Sequence, residues 1–201
     1  MSKETIVAKA LKCIDEIYPS ENTLNEGYFP TDAFIDEAVR WVIDIVPAHE
    51  LTLRKNLELT GISVSNDGIG SGRTPDDYGR LVHFNAHDWK RPVFGAITED
   101  DPRYIQQHNK VLRGNPSRPI VVETFMRGNT SPRTIRWYTT NADENDYDGQ
   151  YVPYSIDFIP ASLYDITAWK LAEIVLMSMH DTEGASICTS KVNEHLEILA
   201  L

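Results

Sequence analysis

The stretch YVPYSIDFIPASLYDITAWKLAEIVLMSMH (Tyr151–His180) decides the fold class, because two structural periods meet in it. Up to Phe158 the residues alternate in the manner of a strand, and Pro160 closes that run. From Ala161 the pattern changes to a helix through His180. It is apolar on most sides: Leu163, Ile166, Trp169, Leu171, Ala172, Ile174, Val175, Leu176, Met177 and Met179. A helix of that kind must be covered by other helices or by a neighbouring subunit.

Working outward from this junction, Asp181–Gly184 breaks the helix, and a last one carries Ile187, Cys188, Val192, Leu196 and Leu199 on one side. At the other end of the chain Ile6, Val7, Ala10, Leu11, Ile14, Ile17 and Tyr18 make one helical stripe, with Ser2 as its cap and Pro19 as its stop. A polar loop, Ser20–Gly27, leads to a second helix that starts near Pro30–Asp32, with the stripe Phe34, Ile35, Ala38, Trp41, Val42 and Ile45. Pro47 interrupts it, and Ala48–Leu59 is expected to resume it. Between the helical ends the strand signals are Ile62 with Val64, Arg80–Phe84, Ile120–Phe125, Thr134–Thr140 and Tyr151–Phe158. Asp101–Leu112 reads as a short helix with Asp101 as cap. Asn66–Asp77 and Gly128–Pro132 read as turns, and Asp148–Gly149 predicts a type I′ hairpin. The expected fold is α+β. Residues 1–60 and 160–201 form a four-helix bundle, and 61–159 form an inserted β-rich lobe with a short helix.

With 201 residues, 41% of them hydrophobic and 24% charged, the chain can bury a substantial core. The start MSKETIVAKALK has no long apolar run, so no signal peptide is expected, and no stretch approaches the ~20 apolar residues of a membrane span. Cys13 and Cys188 sit in helical stripes without metal or redox spacing, as reduced core thiols would.

The net charge of −11 argues against a simple nucleic-acid coat. Its distribution is uneven. Arg73–Arg136 holds 11 basic and 7 acidic residues, Met1–Glu50 holds 4 and 10, and Asn141–Leu201 holds 2 and 11. A basic middle lies between acidic ends, which gives a subunit faces of opposite sign.

Templates for catalysis find no match. GIGSGR (Gly68–Arg73) lacks the Gly-Lys-Ser/Thr ending of a phosphate loop and reads as a flexible loop. His83 and His87 would stand ~13 Å apart on a strand, too far to share one ion. Glu144, Asp146 and Asp148 before Gly149 imitate a calcium loop, but Ser155 stands where the bidentate Glu belongs. Pro75–Asp76 with Glu123 is similar to a metal-dependent nuclease pattern, but Phe125 occupies the lysine position. No convergent acid, base and electrophile is legible, so neither enzymatic activity, cofactor nor metal is expected.

The stretch TPDDYGRLVHFNAHDWKRPV (Thr74–Val93) resembles a passage of the head-to-tail adaptors of short-tailed phages, the group of tail tubular A or gatekeeper proteins. A Pro-Asp-Asp-aromatic turn (Pro75, Asp76, Asp77, Tyr78) leads into a strand with Arg80 and Leu81, then Trp89 and Arg91-Pro92-Val93. Asp101, Pro102, Tyr104, Gln106 and Gln107 fit the acidic-Pro-x-Tyr segment of that family, and Gly114, Asn115, Pro116 and Pro119 fit its turn. The resemblance covers ~120 residues loosely and ~20 well. It implies a non-enzymatic ring of twelve copies in the virion neck, made in the host bacterial cytoplasm, between the portal protein and the next neck or tail ring protein. Genomic DNA would pass through it without tight binding, and no membrane is involved. The flavour of the sequence also suggests the crAss-like phages.

Candidate conduit or interface residues are Lys110, Arg113, Arg118, Arg127, Arg133 and Arg136. The alternative reading is a DNA-binding accessory protein using the same basic middle, and a third is a metal-dependent hydrolase. The polar loops Glu21–Gly27, Asn66–Arg73 and Arg127–Arg133 are expected to be ordered only by neighbouring rings.

Overall fold

A computed structural model describes residues 2–18, 32–124, 133–140 and 147–199. The fold is α+β, and the chain divides into two compact units: Met1–Leu53 with Tyr154–Leu201, and Arg54–Pro153. The divisions fall after Leu53 and Pro153 rather than at 60 and 159, because Lys55–Asn56 already pairs as a strand with Gln150–Tyr151.

The helical unit contains α1 (Ser2–Ile17), α2 (Asp32–Ile45), α3 (Tyr164–Ser178) and α4 (Thr182–Leu199). Helix α3 is its hub and packs against each of the other three. It buries Ile166, Ala168, Leu171, Ala172, Val175 and Leu176, whereas Met177 and Met179 at its end are exposed. Trp169 and Ile174 are half-buried and Asp165 is exposed, so the helix is covered over part of its circumference and open at its C-terminal end.

In α2 the buried residues are Ile35, Ala38, Val39, Val42 and Ile43, while Ile45 is exposed, so the buried stripe is rotated from the sequence reading. In α4 the buried line is Gly184, Ala185, Cys188 and Val192, and Ile187 is exposed. Between α3 and α4 His180 takes a left-handed φ of 61°, a position that usually calls for glycine. The next residue, Asp181, caps α4: one carboxyl oxygen accepts from the Gly184 N–H at 3.0 Å and the other from the Tyr18 hydroxyl at 2.6 Å.

The second unit contains β1 (Lys55–Asn56), β2 (Thr60–Val64), β3 (Ile69–Arg73), β4 (Tyr78–Ala86), β5 (Val122–Thr124), β6 (Thr134–Tyr138) and β7 (Tyr147–Pro153). Two antiparallel sheets result, in the orders β1-β7-β4 and β2-β3-β6-β5. Leu57, Leu59, Tyr78, Leu81, Phe84, Trp89, Ile135, Trp137 and Tyr151 are buried in one cluster that draws on both sheets.

The strand expected over Tyr151–Phe158 is instead Tyr147–Pro153, and Ile156–Phe158 makes a 3-10 turn. Ala48–Leu59 does not resume a helix; its last part is β1 and the start of the sheet core, where Leu57 is buried. Asp101–Leu112 makes turns and one 3-10 turn, Ile105–His108, because Ile105, Val111 and Leu112 point to solvent and give a helix no apolar face to bury. Asp148–Gly149 is not a hairpin. Asp148 pairs with Asn85 and Gly149 with Phe84 inside the β4–β7 ladder. Glycine is needed there for close packing: a Cβ would come within 3.0 Å of Leu57.

GIGSGR is not a flexible loop, because Ile69–Arg73 forms an interior strand of the four-stranded sheet. Gly70 lies under Trp137, where a Cβ would come within 2.2 Å of the indole. The hairpin glycine of this region is Gly68, at φ +73°, in the turn that joins β2 to β3. Its N–H donates to Ser65 O at 2.8 Å, and the Ser65 N–H donates to Ile69 O at 2.9 Å. The expectations on Ser20–Gly27, Pro30–Thr31 and Gly128–Pro132, and the roles given to Glu144, Asp146 and the Ser2 side chain, lie outside the described residues.

Candidate functional site

The four-stranded sheet has one face in the core and one open face, and strand alternation decides which residues each receives. In β3 and β6, Gly70, Gly72, Ile135 and Trp137 point inward. Ser71 and Arg136 alternate to the other side. Cross-strand register then lays a row over all four strands: Ser63 beside Ser71, Ser71 beside Arg136, and Arg136 beside Val122. The next row sets Ile69 beside Tyr138.

The segment Tyr104–Arg113 stands over this second row and makes a cleft of about 390 Å³. Gln107 anchors the segment. It is buried, its amide donates to Arg103 O at 2.9 Å, and its carbonyl accepts from the Gly114 N–H at 2.9 Å. The Tyr104 and His108 rings meet edge to face at 5.0 Å, and the Tyr104 hydroxyl reaches Glu99 at 3.5 Å. Behind the segment Arg113 donates to Asp67 O at 2.5 Å and lies 5.6 Å over the Tyr138 ring. Burial pushes the Tyr138 phenol up, while the Arg113 and Arg136 guanidiniums act in the opposite direction.

The six basic candidates therefore separate. Arg113 and Arg136 line the same cleft. Lys110 belongs to an adjoining hollow, paired with Asp67 at 2.8 Å, and the hydrogen bond from Lys110 holds the Asp67 carboxyl below its usual range. Arg118 is a structural hook: its guanidinium donates to Leu112 O at 2.5 Å and Arg113 O at 3.1 Å. Arg133 is turned into the protein. It pairs with Glu123, donates to Gly79 O at 2.9 Å and sits over the Tyr78 ring. Its side chain is 14% exposed and that of Glu123 7%, so Arg133 is withdrawn from any conduit surface. Arg127 lies outside the described residues.

The other singled-out residues also have structural partners. Glu123 is held by Arg133 and by the Tyr78 hydroxyl at 3.1 Å. Asp77 accepts from Lys55 at 2.6 Å and Tyr151 at 2.7 Å; burial raises its carboxyl, and these hydrogen bonds outweigh it and hold it low. Burial pushes both the Cys13 and Cys188 thiols up to about 12, so each stays a protonated core group at neutral pH. Among the described residues no group of three or more His, Cys, Asp and Glu side chains stands ready for a metal ion, and no helix is long and apolar enough to cross a membrane.

The adaptor-like stretch is architectural. From the Pro75–Tyr78 turn the chain enters β4, and Val93 returns to pair with Phe84 through N–H···O bonds of 2.8 and 2.9 Å. The Trp89 indole donates to Tyr138 O at 2.6 Å, and Asp88 accepts from the Thr140 N–H at 2.6 Å. The stretch thereby clamps the end of β6 and fixes the wall of the cleft. The cleft escaped sequence reading because its residues come from five separated segments; the alternation of Ser and Arg in β3 and β6 was its one local signal.

No family model matches this chain, and no curated protein matches it in sequence.

Proposed function

We propose that this chain is a structural ring subunit of a tailed-phage neck, joining portal to tail and lining a DNA conduit. The observation that carries the reading is a concentration of exposed apolar side chains just after the adaptor-like stretch. Phe94 is 73% exposed, Ile105 77%, Val111 84% and Leu112 47%. Four large apolar side chains left in water between Phe94 and Leu112 supply area that an assembly contact can cover. The charge distribution supports the same reading. Arg54–Pro153 holds 13 basic and 13 acidic residues, so the whole net charge of −11 falls on the helical unit. A chain with one neutral unit that carries exposed apolar side chains and one acidic unit has parts unlike enough for the head-to-tail contacts of a ring. The acidic unit also suits a conduit, since tight phosphate binding would hold DNA rather than let it slide.

The test is negative-stain imaging of the purified protein mixed with its portal protein. Rings on the portal are expected, and Val111→Asp should abolish them while leaving the melting temperature unchanged. Protein that stays monomeric with the portal overturns the reading. So does submicromolar duplex binding at ~0.15 M salt, beyond the usual non-specific range, which would favour a DNA-binding accessory protein.

A further inference from the structure

The cleft on the open face of the four-stranded sheet has a composition that ring assembly does not require. Among the described residues its lining contains two guanidiniums and an imidazole, from Arg113, Arg136 and His108, and no carboxylate. Two acids stand near it: Glu99 meets the Tyr104 hydroxyl at 3.5 Å, and Asp67, in the adjoining hollow, is paired with Lys110 and also feels the Arg113 charge. Arg136 is exposed, and among the described residues its side chain makes no ion pair or hydrogen bond; its strand neighbour Ser71 is bonded to Ser63 at 3.0 Å through a hydroxyl pair that either side can donate. Arg113 uses one nitrogen on Asp67 O, holds its guanidinium 5.6 Å from the centre of the Tyr138 ring, and has further N–H groups unspent. Within a unit that is neutral as a whole, the Arg136 guanidinium has no acidic partner among the described residues, so an anion in the cleft would meet an unspent charged donor.

We propose that this cleft binds a small phosphate monoester, with Arg136 and Arg113 as its charge clamp and the Ser63–Ser71 hydroxyl pair supplying one further donor. Two planar guanidiniums match a doubly charged, multi-oxygen group better than a single carboxylate. The cleft is open on one side, and its volume of about 390 Å³ is within the range of small-molecule sites. Tyr104 and His108 form an aromatic rim for the organic part of the ester. The site stands whether or not the chain forms a ring, because every residue of it lies within Arg54–Pro153.

Amide NMR titration of the full chain tests it, with deoxyadenosine monophosphate, deoxyadenosine, citrate and a short DNA duplex as separate probes. The monophosphate is expected to give saturable shifts at Ser63, Ser71 and Arg136, and the free nucleoside none. Arg136→Gln should weaken that binding about tenfold or more, the loss expected for one charge-assisted hydrogen-bonding group. Lys191→Gln, an equal change of charge on α4, should leave it unchanged. Absence of saturable binding, shifts confined to other parts of the chain, equal affinity in Arg136→Gln, or citrate binding as tightly as the monophosphate each overturns the assignment. Tighter, Arg136-dependent binding of the duplex would also overturn it and return the residue to a DNA role. The shift map of the unaltered protein decides the matter alone should Arg136→Gln fail to fold.

Discussion

Arg133 and Arg136 flank two residues of β6 and have opposite fates, and the difference is one of burial and partners rather than residue type. The Arg133 guanidinium is inside the protein against Glu123, with Gly79 O and the Tyr78 ring as further partners. Removing it strands a buried carboxylate, a change that typically costs about 3–5 kcal/mol. Arg136 stands in solvent, where a substitution changes stability by about 0.5 kcal/mol or less. Urea unfolding should therefore show a large loss for Arg133→Met and almost none for Arg136→Gln. Equal losses would mean that the two arginines share one role. Sequence reading placed both in one set because it counts charge, and charge alone carries no information about which side of a strand is buried.

At the scale of elements, β3 shows how glycine can mislead. GIGSGR is rich in glycine, which signals mobility when nothing packs on it. Here Gly70 and Gly72 make room for Trp137 and Leu59, and β3 is hydrogen-bonded to β2 on one side and β6 on the other. The idea that Asn66–Arg73 waits for a neighbouring ring to order it is therefore withdrawn. Deleting Ser65–Gly72 removes an interior strand, separating β2 from β6. The expected result is loss of the cooperative thermal transition of the β unit by circular dichroism, and a near-native melting curve would show that the strand is dispensable. The two Asp-Gly pairs teach the same point. Asp67–Gly68 makes the tight turn and Asp148–Gly149 lies within a ladder, because a dipeptide preference is weak against a full set of strand partners.

At the scale of the molecule, Arg54–Pro153 begins and ends on paired strands: Lys55 lies opposite Tyr151. Its termini are thus held near each other, and its aromatic cluster is drawn from its own residues. Arg54–Pro153 expressed alone should unfold cooperatively on heating, as an inserted domain does. A fragment that gives no transition, or a molten one that binds a hydrophobic dye, would show that the helical unit is needed to complete its core.

The sequence by itself determined the α+β class, the four helices, most of the strands and the charge asymmetry. These follow from local periodicity and composition, which neighbouring residues in the chain specify between them. Only the tertiary structure decided which arginines are spent on the core, which Asp-Gly pair turns, and that Ser63, Ser71, Arg113 and Arg136 share one cleft. Those outcomes depend on strand register and on packing between segments far apart in the chain. Register is set by which faces can be buried together, and no single stretch of the sequence carries that information.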